Sequence, residues 1–286
     1  MRDTSKSFLE PLRNTPMISL RELPDRSTVH EMKTRYMGGL TAPMDGMWEV
    51  GFINPVPHWE INRRDEILGY VAINDEGTLL QYYLKPEFER ETQAVFKSVL
   101  EQRAIKSATV NTIDPAFLSV CLDNHVEISV HTYVYELQSS VEPNHAEAGD
   151  TNFRPVEAEE LDRTVAFQTA CLGGDENLRG WLSGYSANLI ARRELSVLCS
   201  GEDWIGLGEY RKSDSQEGIV DVGMMVSPER RGQGWATHIL CLLVEQSAER
   251  GHSPICSTTV ENVASQKAIG AAGFTSRHRI MNVSFK

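Results

Sequence analysis

Hydrophobic and polar positions follow two rhythms along the chain. Ile18-Ser19-Leu20-Arg21-Glu22-Leu23 alternates as a half-buried strand does, and a polar stretch of helical character runs on towards Tyr36. Gly38-Gly39 and the segment around Pro43, Gly46 and Pro55 to Pro57 predict loops. Strands are expected near His58 to Asn62, Ile67 to Ile73 and Thr78 to Leu84, then a helix from Glu89 to Gln102. A strand near Ser107 to Thr112, a short apolar helix after Asp114-Pro115 and a strand from Val126 to Leu137 close this half.

The second half begins with a strand at Phe153 to Val156 and a helix through Leu161 and Phe167, broken at Gly173-Gly174-Asp175. A second helix is expected around Trp181 to Ile190, then strands at Leu195 to Cys199, Trp204 to Arg211 and Gly218 to Val226, with a polar turn over Lys212 to Glu217. That last strand ends at a proline turn. A loop with two glycines leads into a helix that stops at Arg250-Gly251. A strand from Ile255 to Val260, the run Glu261-Asn262-Val263-Ala264-Ser265, a short helix and Gly273-Phe274 complete the pattern. The order repeats: in each half a strand ends in Pro-Glu, at Pro86-Glu87 and Pro228-Glu229, and a helix and a strand follow. Asp114 or Asn262 then opens a short helix, which predicts an internal duplication. The expected division is 1-140, a small and polar linker 141-152, and 153-286.

The chemistry concentrates between Val226 and Leu240. A helix start has amides without intrahelical acceptors and carries partial positive charge, and glycines let a ligand approach the backbone. The loop lacks the Lys-Ser/Thr pair of a phosphate-binding P-loop and the third glycine of a dinucleotide fingerprint. Arg231-Gly232-Gln233-Gly234-Trp235-Ala236 instead resembles the R/Q-x-x-G-x-G/A loop of the GNAT acetyltransferases, and Asn262 to Ser265 followed by Gly273-Phe274 resembles that superfamily's ending. The resemblance implies an α/β protein of two tandem GNAT-like domains, each a mixed, mostly antiparallel central sheet flanked by helices.

The resemblance also implies an acetyl-CoA-dependent N-acetyltransferase, with acetyl-CoA as cosubstrate and an amine-bearing acceptor, a small molecule or a peptide or protein. Arg231, Gly232, Gln233, Gly234, Trp235, Ala236 and Thr237 fall where the family holds the pyrophosphate, Asn262 where it meets the pantetheine arm, and Met224 to Val226 where a strand amide faces the thioester oxygen. Asp221 and Glu209 are the candidate proton acceptors, against the alternative of solvent-facing strand charges. Trp181 and Tyr185 fall on the acceptor side of such a fold, where they are either wall or core. Position 269, a tyrosine in many members, is isoleucine here, which cannot protonate a leaving thiolate. Ser265 is expected to cap its helix. In the first half Glu89, Arg90, Glu91 and Thr92 replace the glycine loop, so that half reads as a degenerate copy without cofactor binding, either structural or a wall of the acceptor cleft. A non-catalytic acyl-CoA-binding or protein-interaction module is the rival reading.

Composition narrows this little. With 286 residues, 41% hydrophobic, the chain can bury two cores, and no apolar run is long enough to span a membrane. The polar N-terminus shows no secretory signal, and five scattered cysteines read as reduced thiols, so a cytoplasmic location is expected. A net charge of -12 argues against nucleic acid as a partner and fits either steering of a basic acceptor or mere solubility. His125 and His131 have no ligand partners at metal spacing, so no metal is expected. His238 reads as surface or packed, Cys241 and Cys256 as core thiols, and the assembly as a monomer or homodimer.

Overall fold

The computed structural model describes residues 18–24, 29–142, 148–173 and 176–286. The first half contributes β1 (Ile18–Glu22), α1 (His30–Gly38), β2 (His58–Arg63), β3 (Glu66–Ile73), β4 (Thr78–Leu84), α2 (Thr92–Arg103), β5 (Ser107–Asn111), α3 (Pro115–Asn124) and β6 (His125–Leu137). The second contributes β7 (Asn152–Pro155), α4 (Leu161–Leu172), α5 (Glu176–Ala191), β8 (Leu195–Ser200), β9 (Asp203–Lys212), β10 (Ile219–Val226), α6 (Trp235–Glu249), β11 (Ser253–Thr259), α7 (Val263–Ala271) and β12 (Phe274–Phe285). Among the described residues no helix is long and apolar enough to cross a membrane.

Both halves follow the expected order, and their strands are mostly antiparallel, with one parallel pair in each. The two sheets are not separate, however. They join into one sheet in the order β1-β2-β3-β4-β5-β12-β6-β11-β10-β9-β8-β7. The halves exchange strands at the join: β6 lies between β11 and β12, and β12 lies between β5 and β6. Each core is therefore finished by the other half. Val283 and Phe285 of β12 lie in the first core beside Phe96 and Phe117, while Tyr135 of β6 lies in the second beside Trp235 and Leu243.

The crossing leaves no slack at Gly273. Its φ is +92°, and its carbonyl accepts from the amides of Gln138 and Ser139, where β6 ends. A Cβ there would come within 1.9 Å of the Ser139 carbonyl oxygen. Gly273→Ala therefore combines left-handed backbone strain with a clash against backbone, and a loss of about 2–3 kcal/mol in urea unfolding is expected.

Two elements were not expected from the sequence. The segment taken for loop contains a π-helical turn, Trp48–Ile53, opened by Asp45, whose Oδ1 accepts the Trp48 amide at 2.7 Å. The whole of β12 follows Gly273, where the expected pattern stopped. Gly174 and Asp175, the rest of the predicted helix break, lie outside the described residues.

In each half the parallel pair diverges. β10 and β11 pair only from Ile219–Ser253 to Asp221–Ile255, although both strands run on; β4 and β5 pair only at Thr78–Ser107 and Leu79–Ala108. The two gaps differ in filling. In the first half Leu40, Ala42 and Met44 pack against Leu80 and Ile113, and Thr41 donates to the Ile113 carbonyl through its amide (2.9 Å) and hydroxyl (3.1 Å). Chain thus plugs the first gap. In the second, Gly223, Met224 and Met225 stay half-buried on the diverging strand.

Candidate functional site

The diverging strand leads straight into the glycine loop. After Val226 the chain makes a short 3₁₀ turn, Pro228–Arg230, and Arg231 returns to extended backbone. Gly232 then adopts φ +74° and Gly234 φ +92°, values that only glycine takes without strain. Gly234 is the N-cap of α6 and brings no side chain to cap it. A Cβ on Gly232 would meet nothing within 4 Å, so the loop's surface is open there. This is a backbone cradle on a helix N-terminus, the setting that favours an anion.

The side chains of the loop do other work. The Arg231 guanidinium donates to the Cys171 carbonyl at 2.7 Å and the Val226 carbonyl at 3.4 Å, tying the loop to the end of α4. Gln233 donates to the Glu229 carbonyl at 3.0 Å, and the Thr237 hydroxyl to that of Ala268 at 3.4 Å. Trp235 is buried in the second core, edge-on to His238, which is likewise buried, while Ala236 packs against that core's margin. Any anion would meet backbone here. Asn262 caps α7, its side chain accepting the Ser265 amide at 3.1 Å, so the cap is Asn262 and not Ser265. Ile269 is buried in the core.

On the other side of β10 lies a cluster the sequence only half revealed. Glu209 and Arg211 alternate on one face of β9, and the register sets Asp221 opposite Arg211 and Gly223 opposite Glu209. Arg211 Nη2 donates to Asp221 Oδ1 at 2.8 Å, and Nη1 donates to Glu209 Oε2 and, at 3.2 Å, to the Tyr185 hydroxyl oxygen. Tyr185 donates its proton to Glu209 Oε2 at 2.7 Å. Gly223 leaves room for this arrangement, since a Cβ there would sit 3.2 Å from Arg211 Nη1. The missed signal was local: an arginine two residues from one candidate carboxylate and across the ladder from the other.

Burial sets the charges. Asp221 is 2% exposed, and desolvation pushes its carboxyl up to about 6, although Arg211 pulls the other way. Burial also disfavours the charge on Arg211, but Asp221 and Glu209 outweigh it and hold the guanidinium protonated. Burial and the Glu209 charge push the Tyr185 phenol well up, so it stays a donor. Trp181 stacks on Tyr185 at 4.8 Å and is 54% exposed, so it is not core. Of the outlying candidates, Cys241 and Cys256 are buried, and burial raises both thiols. Among the described residues no group of three His, Cys, Asp or Glu side chains is placed to hold a metal ion.

Comparison with known proteins bears on the family and the fold. The acetyltransferase (GNAT) domain matches twice, over residues 25–138 and 150–275. An acetyltransferase from the GNAT family of Colwellia psychrerythraea is 34% identical over 94% of this chain and 100% of its own, with a TM-score of 0.86. A tandem GNAT protein from the clavulanic acid biosynthesis pathway shares the fold at 13% identity, covering 93% of this chain and 97% of its own (TM-score 0.65). A GCN5-related N-acetyltransferase from Sphaerobacter thermophilus does so at 13% identity, over 94% and 96% (TM-score 0.62). No curated protein matches the sequence.

Proposed function

Because the chain belongs to the GNAT acetyltransferase family, we propose that it is an acetyl-CoA-dependent N-acetyltransferase whose second half binds acetyl-CoA and transfers the acetyl group directly to an amine. One observation carries the reading. β10 leaves β11 after Asp221, and the backbone so released runs directly into Gly232, Gly234 and the start of α6.

In this reading the loop amides from Arg231 to Thr237 receive the pyrophosphate, with Arg231 and Gln233 bracing the loop through their side chains. The diverged edge of β10 from Met224 to Val226 and the exposed Asn262 receive the pantetheine arm. Acetyl-CoA supplies the activated carbonyl. A β10 amide at Met224 to Val226 steadies the charge that grows on its oxygen, as a fixed donor does without reorganisation.

The amine must lose a proton. For a lysine-like acceptor, deprotonation at pH 7 costs roughly 4 to 5 kcal/mol. Glu209 suits the task better than Asp221, because its side chain is 14% exposed and Asp221's only 3%, and both Asp221 oxygens are already engaged. Asp221 acts through Arg211, and Tyr185 and Trp181 wall the acceptor side. With Ile269 in the core, the leaving thiolate takes its proton from water, which a thiol pKa near ~8.5 permits.

Calorimetric titration of acetyl-CoA tests the reading, together with a panel of amines. One site per chain is expected, abolished in Gly234→Glu, which sets a carboxylate and a side chain where the cradle needs neither. Binding without acetylation of any amine would favour a non-catalytic acyl-CoA-binding module. Absence of binding would refute the reading.

A further inference from the structure

Asp221 belongs to the second half, yet one of its two oxygens is held by the first. The Gly46 amide donates to Asp221 Oδ2 at 3.0 Å. The segment that presents Gly46 is fixed at several points. Upstream, Thr41 is bonded into the plugged gap of the first half. Met44 is clasped by Gln216 of the β9–β10 turn, its amide donating to Oε1 at 2.8 Å and its carbonyl accepting from Nε2 at 3.0 Å. Downstream, Ser215 donates to Glu49 Oε2 at 2.6 Å, and Lys33 pairs with Glu49 at 3.5 Å.

Local geometry makes this amide available. Asp45 opens the turn, and the Glu49 amide donates to the Asp45 carbonyl at 3.0 Å, so Gly46 is the first residue inside it. A first-turn amide has no acceptor within its own helix. This one is spent on Asp221. Space is tight as well, since a Cβ on Gly46 would lie 3.3 Å from Asp221 Oδ2.

Arg211 divides its two terminal nitrogens between Asp221 and Glu209, so it satisfies only one oxygen of Asp221. Without Gly46 the second oxygen would be a buried acceptor with no donor, and the carboxylate would be free to turn. Its rotation would draw Arg211 Nη2 with it and alter how Nη1 meets Glu209 and Tyr185. We propose that Gly46, in the half without a glycine loop, is a positioning residue of the acceptor site in the other half, fixing Glu209 through Asp221 and Arg211. The role in turnover rests on the acetyltransferase reading; the geometric chain does not.

The groups around Asp221 are Arg211 and Glu209 from β9, Asp45 beside Gly46, and Cys256 from β11. Gly46→Pro is the direct test: proline suits the first position of a helical turn but has no N–H and sets a ring methylene in its place. Two readouts are taken, the titration of the Asp221 carboxyl by ¹³C NMR and the kcat and KM for an accepted amine. Acetyl-CoA affinity, measured calorimetrically, should stay within about twofold, because α6, which the loop opens, packs through Ile239 on Gly206 and Gly208, the face of β9 opposite to Glu209 and Arg211.

The Gly46 bond lowers the Asp221 carboxyl, so its loss should move the titration upward from about 6, with kcat falling about tenfold. An unmoved titration in folded Gly46→Pro would overturn the proposal, as would an unchanged kcat. If the parent binds acetyl-CoA but acetylates no amine, the proposed function fails while the NMR titration still decides the positioning. If Gly46→Pro does not fold, Gln216→Ala, which releases Met44, should shift Asp221 upward by less, and no shift there counts against the proposal.

Discussion

Severed between residues 142 and 148, the chain is expected to yield two pieces that do not fold alone and that recover native structure only when refolded together. The strand exchange is the reason. β6 has no neighbour from its own half, and neither has β12. An isolated first half would keep β5 without β12 beside it and a thirteen-residue β6 with both edges unpaired. Its core would lose Val283 and Phe285. At roughly 1.5 to 3 kcal/mol for each large side chain taken out of burial, these two account for about 3 to 6 kcal/mol before any ladder bond is counted. That is comparable to the whole stability of an ordinary domain, about 5 to 15 kcal/mol. The second half faces the same loss through Tyr135 and the pairing of β11 with β6 from Ile255–Glu136 to Thr259–Thr132. Far-UV circular dichroism and urea unfolding of each piece, alone and mixed, measure this. Cooperative unfolding of the isolated second half would contradict it and show that β6 can be replaced from within that half.

The exchange also shows what the sequence carries and what it does not. The Gly232 and Gly234 loop and the helix start after it were legible, because backbone angles above zero are short-range properties of a few residues, whereas the cap expected at Ser265 is supplied by Asn262. The pattern from Val126 to Leu137 marked a strand. It could not say which strands would flank β6, since pairing partners are set by the whole sheet and not by local pattern. β12 was hidden by Arg277, His278 and Arg279, which break the apolar rhythm, and the turn at Trp48–Ile53 by the glycines and prolines around it. Asp221 and Glu209 were found as candidates, but no pattern in the sequence singled out Arg211, the residue that joins them. Their link to Gly46 joins the two halves, and no local motif records it.

Replacing Arg211 by methionine should destabilise the protein by about 3 kcal/mol near neutral pH, at the low end for breaking a buried pair because Arg211 keeps 19% of its side chain exposed. The loss comes less from the missing attraction than from what stays behind. Asp221 is then a buried carboxylate held only by the Gly46 amide, with Asp45 and Glu209 near it. Desolvation already raises this carboxyl to about 6 with Arg211 present, and removing the cation raises it further. A carboxyl raised in the folded state binds more protons there than in the unfolded chain, where its pKa is near ~3.9, so its contribution falls as pH rises through that window. The deficit of Arg211→Met should therefore be largest near neutral pH and shrink as the pH is lowered towards about 5. Urea midpoints of parent and variant at two pH values test the sign. The double change Arg211→Met with Asp221→Asn should recover much of the neutral-pH stability, because the amide carries no charge to strand. A deficit equal at both pH values, or one the asparagine does not relieve, would place the cost in lost packing of the arginine stem. Acetyl-CoA affinity should change little in either variant, because α6, opened by the proposed loop site, packs through Ile239 on the face of β9 away from Arg211, so stability and cofactor binding separate in the same proteins.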